Sequence, residues 1–274
     1  MTGGLPGAAL GWKRRVLNYL PAPLKRSGKK LALWWWQDDL TRLAQFFGTD
    51  KWGGHWYTPH YQRYFHSLRR RRLNVLEIGV GGYDDHEEGA KSLRMWKAYF
   101  PKSQIVGIDL YDKSHFSEHR IDVRQCDQSD SAALTALSQA YGGFDIIIDD
   151  GSHVSAHVIT TFETLFPLLR DNGIYVIEDT QTSYWTTWGG GMGMPGSSLE
   201  YCKRLTDGLN HVEYPIEGYQ PSYFDRHIIE MAFFHNMVVI RKGRNEELTN
   251  AQDWIEREIA SLKTAESSQE TPRS

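Results

Sequence analysis

The sequence has few cysteines, no long apolar run and no large excess of charge of either sign. The only cysteines among its 274 residues are Cys126 and Cys202. Two thiols cannot form a disulfide framework or a four-thiolate zinc site, so we expect a protein of a reducing compartment, the cytoplasm. No run of about 18 apolar residues occurs, which excludes a spanning helix. A net charge of -3 and a pI near 6.4 give no sign of nucleic-acid binding.

Charge and composition divide the chain into three parts. Residues 1–36 carry seven basic side chains and no acid. We predict that residues 1–40 form a basic, Trp-rich extension, a helix that packs on the domain or on another subunit. The alternative is a basic arm that contacts an anionic membrane surface or gathers substrate. Residues 41–243 would form the main domain, and residues 244–274 a polar helix (246 to about 263) with a disordered tail.

Short β-branched, apolar runs alternate with helix-like stretches through the main domain. The predicted strands are 74–78, 104–109, 122–126, 144–149 and 174–177, with a late strand at 233–241. The predicted helices are 91–99, 131–141 and 158–169. Near-continuous apolar strands separated by helices indicate a parallel sheet covered on both faces. We therefore predict an α/β fold, a doubly wound, mostly parallel sheet with ligands at the carboxyl ends of its strands.

Acidic residues follow each of the first three predicted strands. The first strand ends in the glycine-rich segment 77–82, but its third glycine is misplaced for a dinucleotide fingerprint. The acids within residues 84–88 would also repel a pyrophosphate. Asp109 ends the second strand, where a carboxylate can bind ribose hydroxyls. The third strand ends in Cys126, Asp127 and Gln128, a segment that suits an adenine amino group. This pattern favours a cationic nucleoside without phosphates, S-adenosyl-L-methionine. A tight turn with surface acids is the alternative.

Strands four and five both end in adjacent acids, Asp149 and Asp150 on one and Glu178 and Asp179 on the other. Neighbouring strands lie about 4.8 Å apart, so four carboxylates there would repel one another unless a cation lay among them. Hard oxygen ligands favour Mg²⁺, or Mn²⁺. Because successive strand residues face opposite ways, one of Asp149 and Asp150 should point elsewhere. We assign Asp150, nearer the loop, as the ligand.

His153 follows in the same loop as Asp150. A histidine there can take a proton from a bound hydroxyl, and a nearby metal makes that hydroxyl more acidic. A plain surface histidine is the alternative interpretation. His157 is the competing base, although we expect it to lie within the next helix.

Two aromatic segments flank the predicted sheet. Residues 47–60 precede it and include Trp52 and Trp56, and residues 184–196 follow strand five and include Trp185 and Trp188. The second segment is rich in glycine, so we predict a mobile lid near residues 184–200. Aromatic faces beside acids suit sugar rings. A hydrophobic plug for one end of the sheet is the alternative.

Five segments occur in matching order and spacing with a known family: 48–51, 76–82, 92–96, 149–153 and 177–179. Together they resemble the metal-dependent sugar O-methyltransferases of actinobacteria, over about residues 40–240. That family includes the macrolide deoxysugar methyltransferases of the mycinamicin and tylosin pathways and the mycobacterial methylmannose polysaccharide 1-O-methyltransferase.

The resemblance implies a class I methyltransferase fold, which is Rossmann-like, and a set of site residues. The metal ligands that it implies are Asp150, Glu178 and Asp179, with His153 as the general base. The S-adenosyl-L-methionine contacts that it implies are Tyr57, Glu77, Gly79, Ser92, Asp109, Asp127 and Gln128.

We therefore expect an O-methyltransferase that depends on S-adenosyl-L-methionine and Mg²⁺ and acts on a sugar hydroxyl of a small glycoside or oligosaccharide. The favoured acceptor is a mannose- or rhamnose-type sugar, as in methylmannose polysaccharide synthesis. The alternatives are a macrolide or other polyketide-linked deoxysugar and a glycolipid sugar. We also expect a homo-oligomer.

Two hypotheses from other classes remain. An NAD-dependent oxidoreductase would use the same kind of sheet, but the misplaced glycine and the acids after it argue against this class. A non-catalytic carbohydrate-binding module could use the aromatic residues, yet it would have no use for the carboxylates.

Overall fold

The computed structural model describes residue 33 and residues 35–269, with side chains to residue 264. Two compact units account for the described residues. The first contains the described residues up to Arg71 and residues 94–101, and the second contains residues 72–93 and 102–269. Most of the predicted N-terminal extension therefore lies outside the described residues.

The second unit is built on a seven-stranded sheet with the strand order β3-β2-β1-β4-β5-β7-β6. The strands are β1 (Asn74–Ile78), β2 (Gln104–Asp109), β3 (Ile121–Gln125), β4 (Ile146–Asp149), β5 (Ile174–Glu178), β6 (Ile228–Phe234) and β7 (Met237–Lys242). Strands β1 to β5 pair in parallel, and β7 runs antiparallel to both β5 and β6. The predicted doubly wound, mostly parallel α/β sheet is confirmed.

The central strands are buried on both faces, which explains their unbroken apolar sequences. All four residues of β4 and all five of β5 are buried. Each fully buried Ile or Leu side chain contributes about 1.5–3 kcal/mol relative to an exposed one. Gly107 in β2 leaves room for Leu93, because an added Cβ would lie 2.7 Å from Leu93 Cδ1.

The helices between the strands begin close to where the sequence predicts them. Within the described part of the chain, the α-helices are Leu40–Phe47, Thr58–Phe65, Lys91–Tyr99, Ser131–Ala140, Ser155–Leu168, Ser198–Leu205, Tyr223–His227 and Gln252–Gln269. Asp130 caps Ser131–Ala140, since its carboxylate accepts hydrogen bonds from the N–H groups of Ala132 and Ala133. His157 lies inside Ser155–Leu168, as expected.

Aromatic side chains form much of the core of the first unit. Tyr61, Phe65, Trp96 and Phe100 are buried, with ring centroids 5.0 Å apart for Tyr61 and Trp96 and 5.7 Å apart for Phe65 and Phe100. The rings of Tyr61 and Trp96 pack edge to face, and such pairs contribute about 0.5–1.5 kcal/mol beyond the area that they bury. These aromatic side chains therefore serve core packing.

The structure corrects two sequence predictions near the C-terminus. The single strand predicted at 233–241 is a hairpin, because the chain reverses at His235 and Asn236 between β6 and β7. Asn236 has a φ of 60°, a left-handed turn conformation that asparagine tolerates. The C-terminal helix, Gln252–Gln269, begins later than predicted and continues past residue 264, where disorder was expected.

In the part of the chain that the structure describes, no helix has the length and apolar character needed to cross a membrane.

Candidate active site

The carboxyl ends of β1 to β5 lie side by side at one edge of the sheet. Ile78 pairs with Ile108 on one side and with Asp149 on the other, and Asp149 pairs with Ile177. The strand order reverses between β1 and β4, the point at which open α/β sheets bind ligands. We call the ends of β1, β2 and β3 the β1–β3 edge, and those of β4 and β5 the β4–β5 edge.

Three titratable side chains meet at the β4–β5 edge. His153 Nε2 lies 3.9 Å from Asp150 Oδ1 and 3.7 Å from Asp179 Oδ2. Among the described residues, Asp150, His153 and Asp179 are the one group of three such side chains whose ligand atoms all lie within 4.8 Å of one another. We call them the group of three. All are half-buried, so a ligand can reach them.

The backbone at this edge is constrained. His153 has a φ of 56° and Asp179 a φ of 53°, both in the left-handed region. Non-glycine residues are uncommon there, although aspartate and histidine are enriched among them. Such conformations cost about 1–3 kcal/mol each and concentrate at functional sites. The strain therefore coincides with the residues that the sequence predicts as base and metal ligand.

The other two acids of the predicted cluster, Asp149 and Glu178, do not belong to the group of three. Asp149 is buried and accepts hydrogen bonds from Gln128 Nε2 (3.1 Å) and Tyr175 OH (3.4 Å). Its burial raises the pKa of its carboxyl to about 7. Glu178 is the last residue of β5 and is also buried, outside the group of three. Its predicted role as a metal ligand stays a prediction.

The donor set of the group fits a divalent cation. Two carboxylates within reach of one another are hard oxygen ligands, the kind that Mg²⁺ binds through one or two side chains while it keeps waters or substrate oxygens. An imidazole nitrogen would suit a transition metal better. Asp150 and Asp179 would therefore hold Mg²⁺, and His153 would stay beside it as a base.

Asp109 supports two loops at the β1–β3 edge. Its Oδ2 accepts a hydrogen bond from the N–H of Val80 (2.9 Å), and its Oδ1 accepts one from Tyr111 (3.0 Å). The carboxylate thus connects the glycine-rich loop after β1 to the loop after β2. Each oxygen keeps a lone pair, so a ligand hydroxyl can still bind there.

Glu77 and Ser92, both predicted cofactor residues, contact each other. Ser92 Oγ donates to Glu77 Oε2 at 2.7 Å. Gly79 follows β1, and an added Cβ there would overlap the carbonyl oxygen of Asp150. Gly79 also has a φ of 91°. The absence of a side chain at Gly79 therefore lets the end of β4 approach β1, whatever the cofactor requires.

Asp127 and Gln128 bind protein groups. Asp127 Oδ1 accepts from Ser129 N (2.8 Å) and Ser129 Oγ (2.7 Å), bonds that lower the pKa of this exposed carboxyl. Gln128 donates through Nε2 to Asp149 and Thr161, and its Oε1 accepts from Ser152 N at 2.6 Å. Both amide hydrogens of Gln128 are thus engaged, and its predicted contact with adenine receives no support from this geometry.

Tyr57 belongs to the first unit, unlike the other predicted site residues. It is buried, and its ring stacks on that of His55 with centroids 4.6 Å apart. Trp52 and Trp56, in the same unit, stack with centroids 5.7 Å apart. The cofactor contact of Tyr57 stays a prediction.

The predicted lid follows β5 in the second unit. Residues 189–197 contain no helix or strand, and Trp185 and Met192 are exposed. Trp185 and Trp188 pack edge to face with centroids 5.5 Å apart. Gly190 passes so close to Ser183 that an added Cβ would overlap its carbonyl oxygen. The mobility of the lid stays a prediction.

The structure reveals two residues that the sequence patterns did not mark. Thr182 is buried and its hydroxyl contacts the backbone of His153 and Asp179. Lys113 is also buried, and its Nζ donates to the carbonyl oxygens of Asp85 and Glu88 (2.9 Å for Glu88). Lys113 thus fixes the acidic loop after β1. The sequence gives no indication of either role, because both depend on partners distant along the chain.

Comparisons with known proteins identify the family and the fold. A protein-family model described as a methyltransferase domain matches residues 44–180. The mycinamicin VI 2''-O-methyltransferase of Micromonospora griseorubida is 47% identical over 234 residues, 84% of this chain and 58% of that protein. An 8-demethyl-8-alpha-L-rhamnosyl tetracenomycin-C 2'-O-methyltransferase of Streptomyces olivaceus is 47% identical over 208 residues, 75% of this chain and 55% of that protein.

A solved structure shows the same fold. It is a methyltransferase from the mycinamycin biosynthetic pathway in complex with Mg and SAH, and it matches with a TM-score of 0.77 and 46% identity, over 83% of this chain and 60% of that one. This chain thus spans less than two thirds of the length of these relatives. The family match also favours a methyltransferase over an NAD-dependent oxidoreductase. On the strand order, the position of the site and these matches, the chain belongs to the methyltransferase-domain family.

Proposed function

We propose that this protein is an S-adenosyl-L-methionine- and Mg²⁺-dependent O-methyltransferase that acts on a deoxysugar hydroxyl of a polyketide glycoside. The observation that carries the proposal is the group of three, in which His153 Nε2 lies 3.9 Å from Asp150 and 3.7 Å from Asp179 at the carboxyl ends of β4 and β5. A proton acceptor beside two oxygen ligands suits metal-assisted methylation of a hydroxyl.

Each part of the site has a task in this proposal. When bound, S-adenosyl-L-methionine supplies a methyl group on a sulfonium, and Mg²⁺ supplies positive charge that lowers the pKa of the acceptor hydroxyl. Asp150 and Asp179 hold the cation. Glu178 is the third ligand that the resemblance to the sugar O-methyltransferases implies. Glu77, Gly79, Ser92, Asp109 and Asp127 form the cofactor side, at the β1–β3 edge.

His153 acts as the general base. Its Nε2 takes the proton of the acceptor hydroxyl, a group that unassisted imidazole is too weak a base to deprotonate. The imidazolium that forms lies 3.7 Å from Asp179 Oδ2, and this negative charge stabilises it. His153 and the two carboxylates therefore depend on one another, and the left-handed backbone keeps them together.

The relatives favour the polyketide alternative over the acceptor first expected from the sequence. Their names specify mycinamicin VI and a rhamnosyl tetracenomycin, and none specifies a mannoside or a polysaccharide. A rhamnose-type sugar thus keeps its support, whereas the methylmannose polysaccharide pathway receives none. The names differ in the hydroxyl, 2' in one tetracenomycin enzyme and 3' in another, so the test below also determines the position of the methyl group on the ring.

An acceptor panel tests the proposal. The full chain would be incubated with methyl-labelled S-adenosyl-L-methionine, Mg²⁺ and one acceptor: a rhamnosyl polyketide, a macrolide deoxysugar glycoside, a simple rhamnoside or a mannoside. We expect transfer to the polyketide glycosides, with the position of the new methyl group determined by NMR.

Two results of that panel would contradict the proposal in different ways. Transfer to the mannoside alone would restore the polysaccharide acceptor and overturn the polyketide one. No transfer to any acceptor, from a chain that binds S-adenosylhomocysteine in a calorimeter, would favour a non-catalytic carbohydrate-binding module. The cytoplasmic location, the homo-oligomeric state and the membrane contact of the basic extension stay predictions.

A further inference from the structure

Thr182 connects the two loop segments that carry the group of three. Its Oγ1 lies 3.0 Å from the carbonyl oxygen of His153 and 3.0 Å from that of Asp179. Asp179 is three residues away in the same turn, but His153 is 29 residues away, beyond β4. One buried hydroxyl therefore contacts the backbone at both ends of the β4–β5 edge.

Both residues that the hydroxyl contacts have strained backbones. His153 and Asp179 have φ values of 56° and 53°. Left-handed backbone at such residues persists only where the surrounding structure holds it. Backbone conformation sets the direction of a side chain, so a contact that holds these two carbonyl groups also holds the imidazole and the carboxylate.

The Thr182 hydroxyl makes a contact with His153 that the local turn does not supply. The N–H of Thr182 already donates to the carbonyl oxygen of Asp179 at 3.1 Å, so the turn after β5 keeps a hydrogen bond without the side chain. The contribution specific to the hydroxyl is the link across to His153. Removal of the hydroxyl should therefore leave the turn in place and loosen the spacing between the two loops.

We propose that Thr182 is a positioning residue, whose hydroxyl fixes the distance between the His153 imidazole and the Asp179 carboxylate. It acts through the backbone of both residues, and its own side chain is buried. Its effect on cation binding and on methyl transfer rests on the proposed function. In metal sites, groups that orient the ligands typically change metal affinity or activity about 10–100-fold when they are removed.

Three variants separate the hydroxyl from the shape of the side chain. Thr182→Ser keeps the hydroxyl, Thr182→Ala removes it with the same loss of the methyl group, and Thr182→Val replaces it with a methyl group. Serine and alanine thus form a matched pair that remains informative if the valine variant does not fold. Each would be measured for Mn²⁺ affinity by electron paramagnetic resonance, for S-adenosylhomocysteine affinity by calorimetry, and for kcat and KM.

We expect the alanine and valine variants to bind Mn²⁺ about 10–100-fold more weakly and to lose kcat by a similar factor. Their S-adenosylhomocysteine affinity should match that of the wild type, because the cofactor side lies at the β1–β3 edge. The serine variant should stay within about threefold of the wild type in all three measurements, since it keeps the hydroxyl.

Thr164→Val is the matched control. The Thr164 hydroxyl also makes one local and one distant contact, with Thr160 O at 2.7 Å and Ser131 Oγ at 2.9 Å. Its partners lie on the helices Ser155–Leu168 and Ser131–Ala140, and neither contact involves a residue of the group of three, so this variant should leave Mn²⁺ affinity and kcat unchanged.

The possible results separate this inference from the proposed function. Equal Mn²⁺ affinity and equal kcat in the serine and alanine variants, in a protein whose wild type binds Mn²⁺ and transfers methyl groups, would overturn the role of Thr182 alone. A wild type that neither binds Mn²⁺ nor transfers methyl groups would overturn the proposed function and this inference with it.

Discussion

The β1–β3 edge and the β4–β5 edge use their acidic residues differently. At the β1–β3 edge, Asp109 and Asp127 accept hydrogen bonds from nearby backbone N–H groups. At the β4–β5 edge, Asp150 and Asp179 both approach the His153 imidazole, within 3.9 and 3.7 Å. The first set of acids shapes loops, and the second set converges on one point in space.

In the proposed function, this difference separates cofactor binding from methyl transfer. Carboxylates that accept backbone hydrogen bonds stabilise a loop conformation without a ligand, so they would prepare a surface for the cofactor. Carboxylates that face each other repel, and a cation between them removes that repulsion. We therefore expect variants at the β4–β5 edge to lower turnover, and variants at the β1–β3 edge to lower cofactor affinity.

The largest effect should come from His153→Gln. Loss of a general base typically lowers the rate by about 10²–10⁴-fold, and glutamine keeps a polar side chain of similar reach. The measurement is kcat at saturating cofactor and acceptor, together with the affinity for S-adenosylhomocysteine. We expect the affinity to be unchanged, and a kcat within threefold of the wild type would contradict the assignment of His153.

Gly79→Ala should affect both edges. An added Cβ would overlap the carbonyl oxygen of Asp150, and the φ of 91° disfavours any side chain. We expect a loss of about 1–3 kcal/mol in the free energy of unfolding, with weaker S-adenosylhomocysteine and Mn²⁺ binding. Urea unfolding and the two binding titrations would measure this.

Gly81→Ala is the comparison for that variant. Gly81 also has a positive φ, 85°, but an added Cβ there would have nothing within 4 Å. The difference between the two variants therefore isolates the overlap with Asp150. Equal loss of Mn²⁺ affinity in both would show that the approach of β4 to β1 is unimportant.

Asp109→Asn should weaken cofactor binding alone. The amide keeps one oxygen acceptor but replaces the other with a donor, so one of the hydrogen bonds to Val80 and Tyr111 is lost. The ribose hydroxyls would also lose a charged acceptor, and a hydrogen bond to a charged group is worth about 1.5–3 kcal/mol, so we expect at least a tenfold rise in the Kd for S-adenosylhomocysteine. Calorimetry measures the Kd, and a matching fall in kcat at saturation would contradict the separation of the two edges.

The smallest expected effect is on the pH dependence of the free energy of unfolding, through the carboxyl of Asp127. The N–H and hydroxyl of Ser129 lower the pKa of this carboxyl in the folded protein. A depressed folded pKa contributes stability that is present above the unfolded pKa, about 3.9, and is lost as the pH falls through the folded value. Because Asp127 is exposed, Ser129→Ala should cost no more than about 0.5 kcal/mol at pH 7.

The measurement for Ser129→Ala is urea unfolding at pH 7 and at a pH below the folded pKa, beside wild type. The difference between the proteins should shrink at the lower pH. A difference that grows on acidification would contradict the sign of the shift.

The sequence predicts the central sheet well because that part of the fold depends on local patterns. Strands β1 and β2 begin and end where their apolar runs do. The β6–β7 hairpin escapes prediction, because apolar residues stand on both sides of His235 and Asn236 and conceal the turn. An apolar stretch with only two polar residues inside it has the pattern of one long strand.

The sequence likewise predicts some features of the candidate site and not others. The convergence of Asp150 and Asp179 follows from the adjacency of β4 and β5, which the order of the elements suggests. The hydrogen-bond partners of Gln128 do not follow from the order of the elements, because Asp149 and Thr161 lie 21 and 33 residues away along the chain. Contacts at such distances depend on how loops and helices pack, and no periodicity in the sequence records them.

Removal and return of the metal test the central claim most directly. Methyl transfer to a rhamnosyl polyketide would be measured in EDTA and after addition of excess Mg²⁺, for the wild type and for Asp150→Asn. We predict that the wild type loses activity in EDTA and recovers it with Mg²⁺, whereas Asp150→Asn stays inactive although it binds S-adenosylhomocysteine. Full wild-type activity in EDTA would contradict the account.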